Sequence, residues 1–524
     1  MVPKRLVLAT AIFGLSITAQ FVDNTYIWPN DETDLLEHML YEHSGYHVNS
    51  PASFVVPCGN VPFGKGRSGP AEWLRTAYHD MANADVPSGK GGIDASIGFE
   101  LDRDENPVGG CSGGKVVIPF RGGRIDATGP GARGVPKPEE SLDSHVAAFE
   151  RQGFTKDEMI GLVACGHTLG GVHGVDFPEI VDVVNNTSED DNTQMFDTTI
   201  EGETAFDNKV ATEFVSNNTQ NPLAFGHNAT TRSDGRIFNA DGGALITKMA
   251  ASNDFFLDTC RDLLERMTNT VPRTVRLGKP IGIIPVKPSS LYATIVPHTG
   301  KMNVTGFVRL ISRKNSWDAD PSRKVKIHFR PRSGSCSKSK YLVVEAGEFS
   351  WSRSLYHQGG FPYFKKYQFA QEIPISRGVS GFDVEVIDTT DGSTTSTMHT
   401  NGGKGFPFND AVVTQPGLTC NGQKDDGLFN LTVAVRDDAK LGSVKARIQL
   451  PRPLDALVPR ITDMMVDLKR VGGVPGANYT LFNVRQRLPV GTYTFTYDLI
   501  ASNGTHTEKR VFNDVTEIKA CHRD

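Results

Sequence analysis

The spacing of apolar residues changes period once along this chain, near residue 285, and that change constrains the fold more than any other feature. Before it, apolar residues recur every three or four positions. Examples are Leu35, Leu36, Met39 and Leu40 in "DETDLLEHMLYEH", and Leu142, Val146 and Phe149 in "PEESLDSHVAAFERQG". That spacing predicts helices with one buried face. "TKDEMIGLVACGHTLGG" opens on Thr155 and Glu158, a capping box, and closes on glycines. "ALITKMAASNDFFLDTCRDLLERM" predicts one or two further helices. After "IGIIPVKPSS" the pattern alternates with period two, in "VKIHF" from Val325, "YLVVEAGEF" from Tyr341, "FDVEVID" from Phe382, "FNLTVAVRD" from Phe429, "VKARIQL" from Val444 and "TYTFTYDLIA" from Thr492. Turn clusters "DGS", "NGGKG" and "NGQKDDG" separate these runs. The expectation is multidomain: a mainly α domain followed by an all-β, sandwich-like part of one or two sandwiches. The boundary falls at 283–292, with Pro285, Pro288, Ser289 and Ser290. A chain of 524 residues is in any case too long for one ordinary core.

A net charge of −5, with no long basic run and no basic-aromatic stripe, argues against a nucleic-acid partner. Lys4 and Arg5 precede an apolar run from Leu6 to Ile17, then Thr18 and Ala19. This predicts a secretory signal peptide over 1–19, a helical domain over 20–285 and a β domain over 290–524. The tail "CHRD" has no hydrophobic anchor signal, so the chain is expected outside the cell. Sequons at Asn185, Asn186, Asn217, Asn228, Asn303, Asn430, Asn478 and Asn503 fit a secreted glycoprotein. The seven cysteines suit a small number of disulfides. Cys165, inside an apolar helix, is expected as the free one. Cys58 and Cys111 are expected to pair, and Cys336, Cys420 and Cys521 allow one further bridge.

The residues that carry chemistry cluster in the first half. In "WLRTAYHD", Arg75 and His79 stand four apart and project from one helical face. Both are costly to bury without partners. Asp80 follows, and "GKGGIDASIGFE" adds the carbonyl of Gly92, Asp94 and Ser96, hard oxygens of the kind Ca²⁺ takes. Downstream, His167 lies in the apolar "ACGHTLGGVH" and is followed by Thr168. Asp234 in "RSDGR" offers a carboxylate for the far nitrogen of that imidazole, the usual arrangement behind a metal-bound histidine.

With "LRTAYHDMA", "GGIDASI", "IPFRGGRIDA", "LVACGHTLGGVH", "FDTTIEGETAFDN" and "TRSDGRIFNAD" in this order, the chain resembles the plant, fungal and bacterial haem peroxidases over roughly residues 25–285. More narrowly it resembles secreted fungal members with a C-terminal β domain. The resemblance implies haem b bound through His167, with Asp234 as hydrogen-bond partner. It makes His79 the acid–base on the peroxide side, Arg75 the cation beside it, and Asn106 the holder of His79. It implies two cation sites, one Ca²⁺ at Asp80, Gly92, Asp94 and Ser96, the other a Ca²⁺ or K⁺ at Thr168, Asp197, Thr199 and Asp207. Hydrogen peroxide and small phenolic donors oxidised in one-electron steps are the implied substrates.

Several positions qualify that resemblance. Family members that oxidise bulky aromatics carry a surface tryptophan five residues before the iron ligand; here Leu162 stands there. Members with a radical-storing tryptophan one loop after the ligand differ too, since "FPEIVDVVNN" has none. Glu32, Asp34, Glu37 and Glu42 read as a solvated acidic face rather than a Mn²⁺ site, and His173 as structural. "DENPVGGCSGGKVVIPF" joins segments that in the family are separated by about two helices, so the domain is expected to lack them near 106–111. The alternative function is therefore a catalytically impaired secreted glycoprotein whose β domain binds cell-wall polysaccharide. In that half the aromatic run "FPYFKKYQF" reads as core plus a loop.

Overall fold

A computed structural model describes residues 21–23, 25–30, 33–42, 69–99, 118–182, 193–198, 205–314, 316, 318–333, 342–352, 363–422, 427–452, 460–489, 495–515 and 518–521. Among these, residues from Thr33 to Ile283 form one compact unit. Phe21–Asn30 and the residues from Ile284 onward form the other.

The first unit is helical, with α1 (Asp34–Tyr41), α2 (Gly69–Ala82), α3 (Leu142–Arg151), α4 (Lys156–Gly166), α5 (Lys209–Val215), α6 (Pro222–Phe225), α7 (Ser233–Phe238), α8 (Ala244–Ala251) and α9 (Asn253–Asn269). Several starts have a local cause. Ser141 caps α3 through Ser144 N at 3.2 Å, and Ser252 caps α9 through Phe255 N at 3.2 Å. The α4 capping box closes both ways, Glu158 N donating to Thr155 Oγ1 at 3.3 Å and Thr155 N to Glu158 Oε2 at 2.8 Å. Ser252 also breaks the long apolar run into α8 and α9. Met159, Ile160 and Ala164 of α4 pack with Phe256, Leu264 and Met267 of α9 in one core. The two helices approach closely enough that a Cβ on Gly161 would stand 2.7 Å from Leu263 Cδ1.

That approach corrects the expectation for Cys165. It is bonded to Cys260, joining α4 to α9, and both residues are fully buried. No local pattern marks the bridge, because the two cysteines lie 95 residues apart. In α1 the deeply buried residues are Glu37 and His38, joined by Glu42 just after the helix, with His38 Nδ1 3.2 Å from Glu42 Oε1, whereas the leucines are half-buried. This helix is therefore not a solvated acidic face at Glu37 and Glu42; Glu32 lies outside the described residues. No described helix lies between Phe99 and Leu142, and the junction 106–111 is outside the described residues.

The second unit is β. Phe21–Asp23, expected at the start of the helical domain, pairs instead in parallel with Ser393–His399. Leu342–Ser352 pairs through Leu342–Ala346 with Arg323–Arg330 and through Gly347–Ser352 with Phe364–Pro374. Arg460–Gly473 likewise pairs first with Ser443–Arg452 and then with Tyr479–Arg487. Each long strand thus passes between two groups of strands, enclosing a core, one around Val304, Ile327 and Phe382 and one around Leu431, Ile448 and Leu499. Tyr367, Phe364 and Phe369 of the aromatic run are buried core residues. Cys420 is bonded to Cys521, while Cys58, Cys111 and Cys336 lie outside the described residues. Among the described residues no helix is long and apolar enough to cross a membrane.

Candidate functional site

The helical unit encloses a cavity of about 550 Å³ whose wall includes Arg75 and His79 from α2 and His167 and Asp234 from the α4–α7 side. That size is typical of a small-molecule or cofactor site.

His167 follows the last turn of α4, its amide still bonded to Val163 O at 2.9 Å. Its Nδ1 lies 2.8 Å from Oδ2 of the fully buried Asp234. A buried carboxylate accepts, so Nδ1 carries a proton, and in the neutral ring this tautomer leaves the lone pair on Nε2, the form in which imidazole binds a metal. Two partners hold Asp234 in turn. Asn221 Nδ2 donates to Oδ2 at 2.7 Å and Ser233 Oγ is 3.4 Å from Oδ1. Asn221 is fixed by its own oxygen, which caps α6 through Leu223 N at 2.8 Å. Phe196 stacks on the imidazole, with ring centres 4.3 Å apart and planes 14° from parallel. Sequence reasoning missed Phe196 and Asn221. An Asn-Pro helix start was readable in "QNPLAF", but nothing local tied it to Asp234.

Across the cavity, Arg75 Nε donates to His79 Nε2 at 3.3 Å, as their four-residue spacing predicts. Arg75 also lies over the Phe177 ring, 5.5 Å from its centre. In this arrangement Nε2 of His79 is an acceptor beside a permanent cation. Tyr78 packs its ring on Phe149, and burial drives its phenol pKa far up, which the hydrogen bond to Gln152 Oε1 at 3.4 Å and the charge of Arg151 only partly offset. Gln152 and Arg151 also donate to Ala82 O, so α3 clamps the C-terminus of the helix that carries Arg75 and His79.

Directly behind His79, Asp80 is buried. Its Oδ2 accepts from Asp94 N at 3.0 Å and Ala95 N at 2.9 Å, and its Oδ1 from Ile97 N at 3.1 Å. Ser96 Oγ stands 3.5 Å from Oδ1. Desolvation raises the Asp80 pKa, the main-chain donors oppose it, and the charge of Asp94 adds to the rise. Asp80, Asp94 and Ser96 are therefore together as expected, and no basic side chain contacts either carboxylate among the described residues. Gly92 holds φ +112°, and a Cβ there would stand 2.6 Å from Thr270 O, so only glycine lets this loop lie against the end of α9.

At the other expected cation site, Thr168 Oγ1 donates to Asp207 O, and Gln220 Nε2 donates to Asp197 O. Thr168 and Asp197 are buried. Asn106 and Thr199 lie outside the described residues. Among the described residues no three His, Cys, Asp or Glu side chains gather as a metal-binding group. His173 is nearly buried and bonded through Nδ1 to Thr193 Oγ1 at 2.7 Å; Leu162 is buried in the cavity wall.

Residues 107–253 match the family model described as peroxidase, a span that holds His167 and Asp234 but begins after Arg75 and His79. A WSC domain-containing protein of Arthroderma benhamiae is 31% identical over 476 residues, 84% of this chain and 61% of that protein. Catalase-peroxidase 2 of Shewanella frigidimarina is 36% identical over 81 residues, 15% of this chain and 10% of that protein. The chain thus spans about three fifths of the first relative and a tenth of the second. The ordered motifs, the paired His167 and Asp234 on one cavity and the family match agree, and residues 107–253 belong to a peroxidase domain of the plant, fungal and bacterial type.

Proposed function

We propose that this protein is a secreted haem peroxidase that reduces hydrogen peroxide and oxidises small phenolic donors one electron at a time. The observation that carries the reading is the cavity itself. One wall presents an imidazole whose Nδ1 is held by a buried carboxylate, and another presents an imidazole bonded to a guanidinium. The donor set fits haem b: His167, with its Nε2 lone pair and a side chain 31% exposed, is the residue that would hold the iron. When bound, the haem would supply iron for the two-electron reduction of peroxide and for taking those electrons back singly from donors.

The chain's own residues do the rest. Asp234 fixes the His167 tautomer and strengthens it as a donor. His79 Nε2 takes a proton from one peroxide oxygen and returns it to the departing one. Arg75 places fixed positive charge where negative charge develops as the O–O bond breaks. Asn106 is assigned to hold His79 from behind. Ca²⁺ is proposed at Asp80, Gly92, Asp94 and Ser96, where two carboxylates lie close without a basic partner among the described residues. A second cation is proposed at Thr168, Asp197, Thr199 and Asp207. Secretion is supported by the N-terminal apolar run and by the two disulfides among the described residues, since such bonds persist in oxidising compartments.

The test is an absorption spectrum of the purified protein supplied with haem, before and after peroxide. A Soret band that shifts on peroxide addition is expected and would move the work to donors. A featureless spectrum would overturn the reading for this chain.

A further inference from the structure

The outer face of one sheet in the β unit carries aromatic side chains where water-facing positions are ordinarily polar. Lys301–Ile311 pairs with Val286–Val296 on one side and Phe364–Pro374 on the other. Val304 and Val308 of this strand are fully buried, so Asn303, Thr305 and Phe307 point outward. Tyr292 is directly opposite Thr305 and Thr294 opposite Asn303. Phe349, 62% exposed, reaches over Gln368 to within 5.3 Å of the Phe307 ring centre.

Asn303, Val304 and Thr305 form a sequon on that same face. Other sequons are engaged by the fold. Asn430 donates through Nδ2 to Leu418 O at 3.1 Å and accepts from Asn483 at 2.9 Å, and Asn228 Nδ2 donates to Glu179 O at 3.1 Å. No side-chain hydrogen bond is made by Asn303 or Thr305 among the described residues. Asn303 is diagonal to Tyr292, about 7–8 Å away across the pair. Phe307 lies four residues further along the strand, about 14 Å from Asn303 at the strand rise.

We propose that Asn303 carries an N-linked glycan whose first sugars lie along this face, against Tyr292 and then the Phe307–Phe349 pair. The C–H faces of pyranose rings are apolar and fit flat aromatic surface, while their hydroxyls reach water and the amide of Gln368. The glycan thus covers the apolar face that the sheet leaves outward, and a bulky, solubilising group there suits a secreted chain. The proposal rests on the secretory reading and is independent of peroxidase activity.

The test uses the full chain expressed in a glycosylating secretory host. Glycans are removed enzymatically in ¹⁸O-water, and tagged asparagines are located by mass spectrometry. Tagging at Asn303, lost in Asn303→Gln, is expected. An untagged Asn303 beside a tagged Asn503 overturns the proposal; a retained chain untagged at every sequon overturns it together with the secretory reading. For the stacking, deglycosylation should lower Tm by about 2–4 °C in the parent and by much less in Phe349→Ser. Equal shifts in the two would overturn the aromatic contact.

Discussion

Replacing Asp234 by Ala tests the site most directly, because its consequences for the fold and for the cofactor separate. The carboxylate accepts from His167 Nδ1 at 2.8 Å and Asn221 Nδ2 at 2.7 Å, and the Ser233 hydroxyl adds a weaker contact at 3.4 Å. Losing it orphans two donors, but not equally. His167 is 31% exposed at its side chain and can turn its N–H toward cavity water. Asn221 is 1% exposed and cannot, so it bears most of the loss, about 1–3 kcal/mol for one buried unsatisfied group. Unfolding in urea, followed without haem, should show that loss. Haem affinity is a second, independent quantity. Removing the partner of a metal-bound histidine typically costs about 10–100-fold. Soret titration of Asp234→Ala should give a weakening in that range, and Asp234→Asn, which keeps an acceptor oxygen but not the charge, should lie between it and the parent. A destabilised Asp234→Ala that binds haem with parental affinity would refute the assignment of His167 as ligand, since the fold would have lost the pair and the cofactor would not have noticed.

Other outcomes follow from the same geometry. Joint replacement of Cys165 and Cys260 by Ala opens a loop of 95 residues, worth about 4.7 kcal/mol by loop-closure entropy, so the urea midpoint should fall steeply; an unchanged midpoint would contradict the bridge. His79→Leu should slow reaction with peroxide by about 10²–10⁴ while the oxidised protein still reacts with donors at the parental rate, which stopped-flow mixing measures. In the β unit, burial raises the Asp320 pKa, but hydrogen bonds from Ser322 and Arg313 outweigh it and the net shift is downward. The folded state then binds fewer protons than the unfolded one, so this contribution is complete above the ordinary value of 3.8 and fades as pH falls through the lower folded value. Acid unfolding of Asp320→Asn should be flatter than the parent below pH 3.8, and parallel curves would refute the pairing.

What the sequence made legible was whatever local spacing encodes. Arg75 and His79 meet because four residues make one helical turn. Asp80, Asp94 and Ser96 meet because a short glycine-containing loop returns to its own helix. The capping box at Thr155 and the strands from Val325, Phe382 and Phe429 are equally local. What stayed hidden depends on pairings across long separations. Cys165 reads as an ordinary buried thiol until α9 brings Cys260 beside it. Phe196 gives no sign in its own segment that it stacks on an imidazole 29 residues earlier. Asn221 announces a helix start and conceals its second role on Asp234. In α1 the pattern misled, because a His38–Glu42 pair satisfies groups that the apolar periodicity alone would have placed in water.

The wall of the cavity also bears on where electrons come from. Its rings include Phe149, Phe177, Phe196 and Tyr78, and among the described residues no tryptophan lines it. A phenyl ring gives up an electron only to a far stronger oxidant than an indole or a phenol requires, so Phe196, despite its contact with His167, is a poor place to store an oxidising equivalent. Tyr78 is the more oxidisable ring, but a phenol that loses an electron must also lose its proton. Its hydroxyl faces the oxygen of Gln152, an amide that is not a base, and burial already opposes deprotonation. Both rings near the two histidines are thus held reduced, one by its chemistry and one by its partner. Under the proposed reading, oxidising power generated in this cavity is left to small donors that enter it, which agrees with Leu162 buried where a surface tryptophan would otherwise offer a route to bulkier ones.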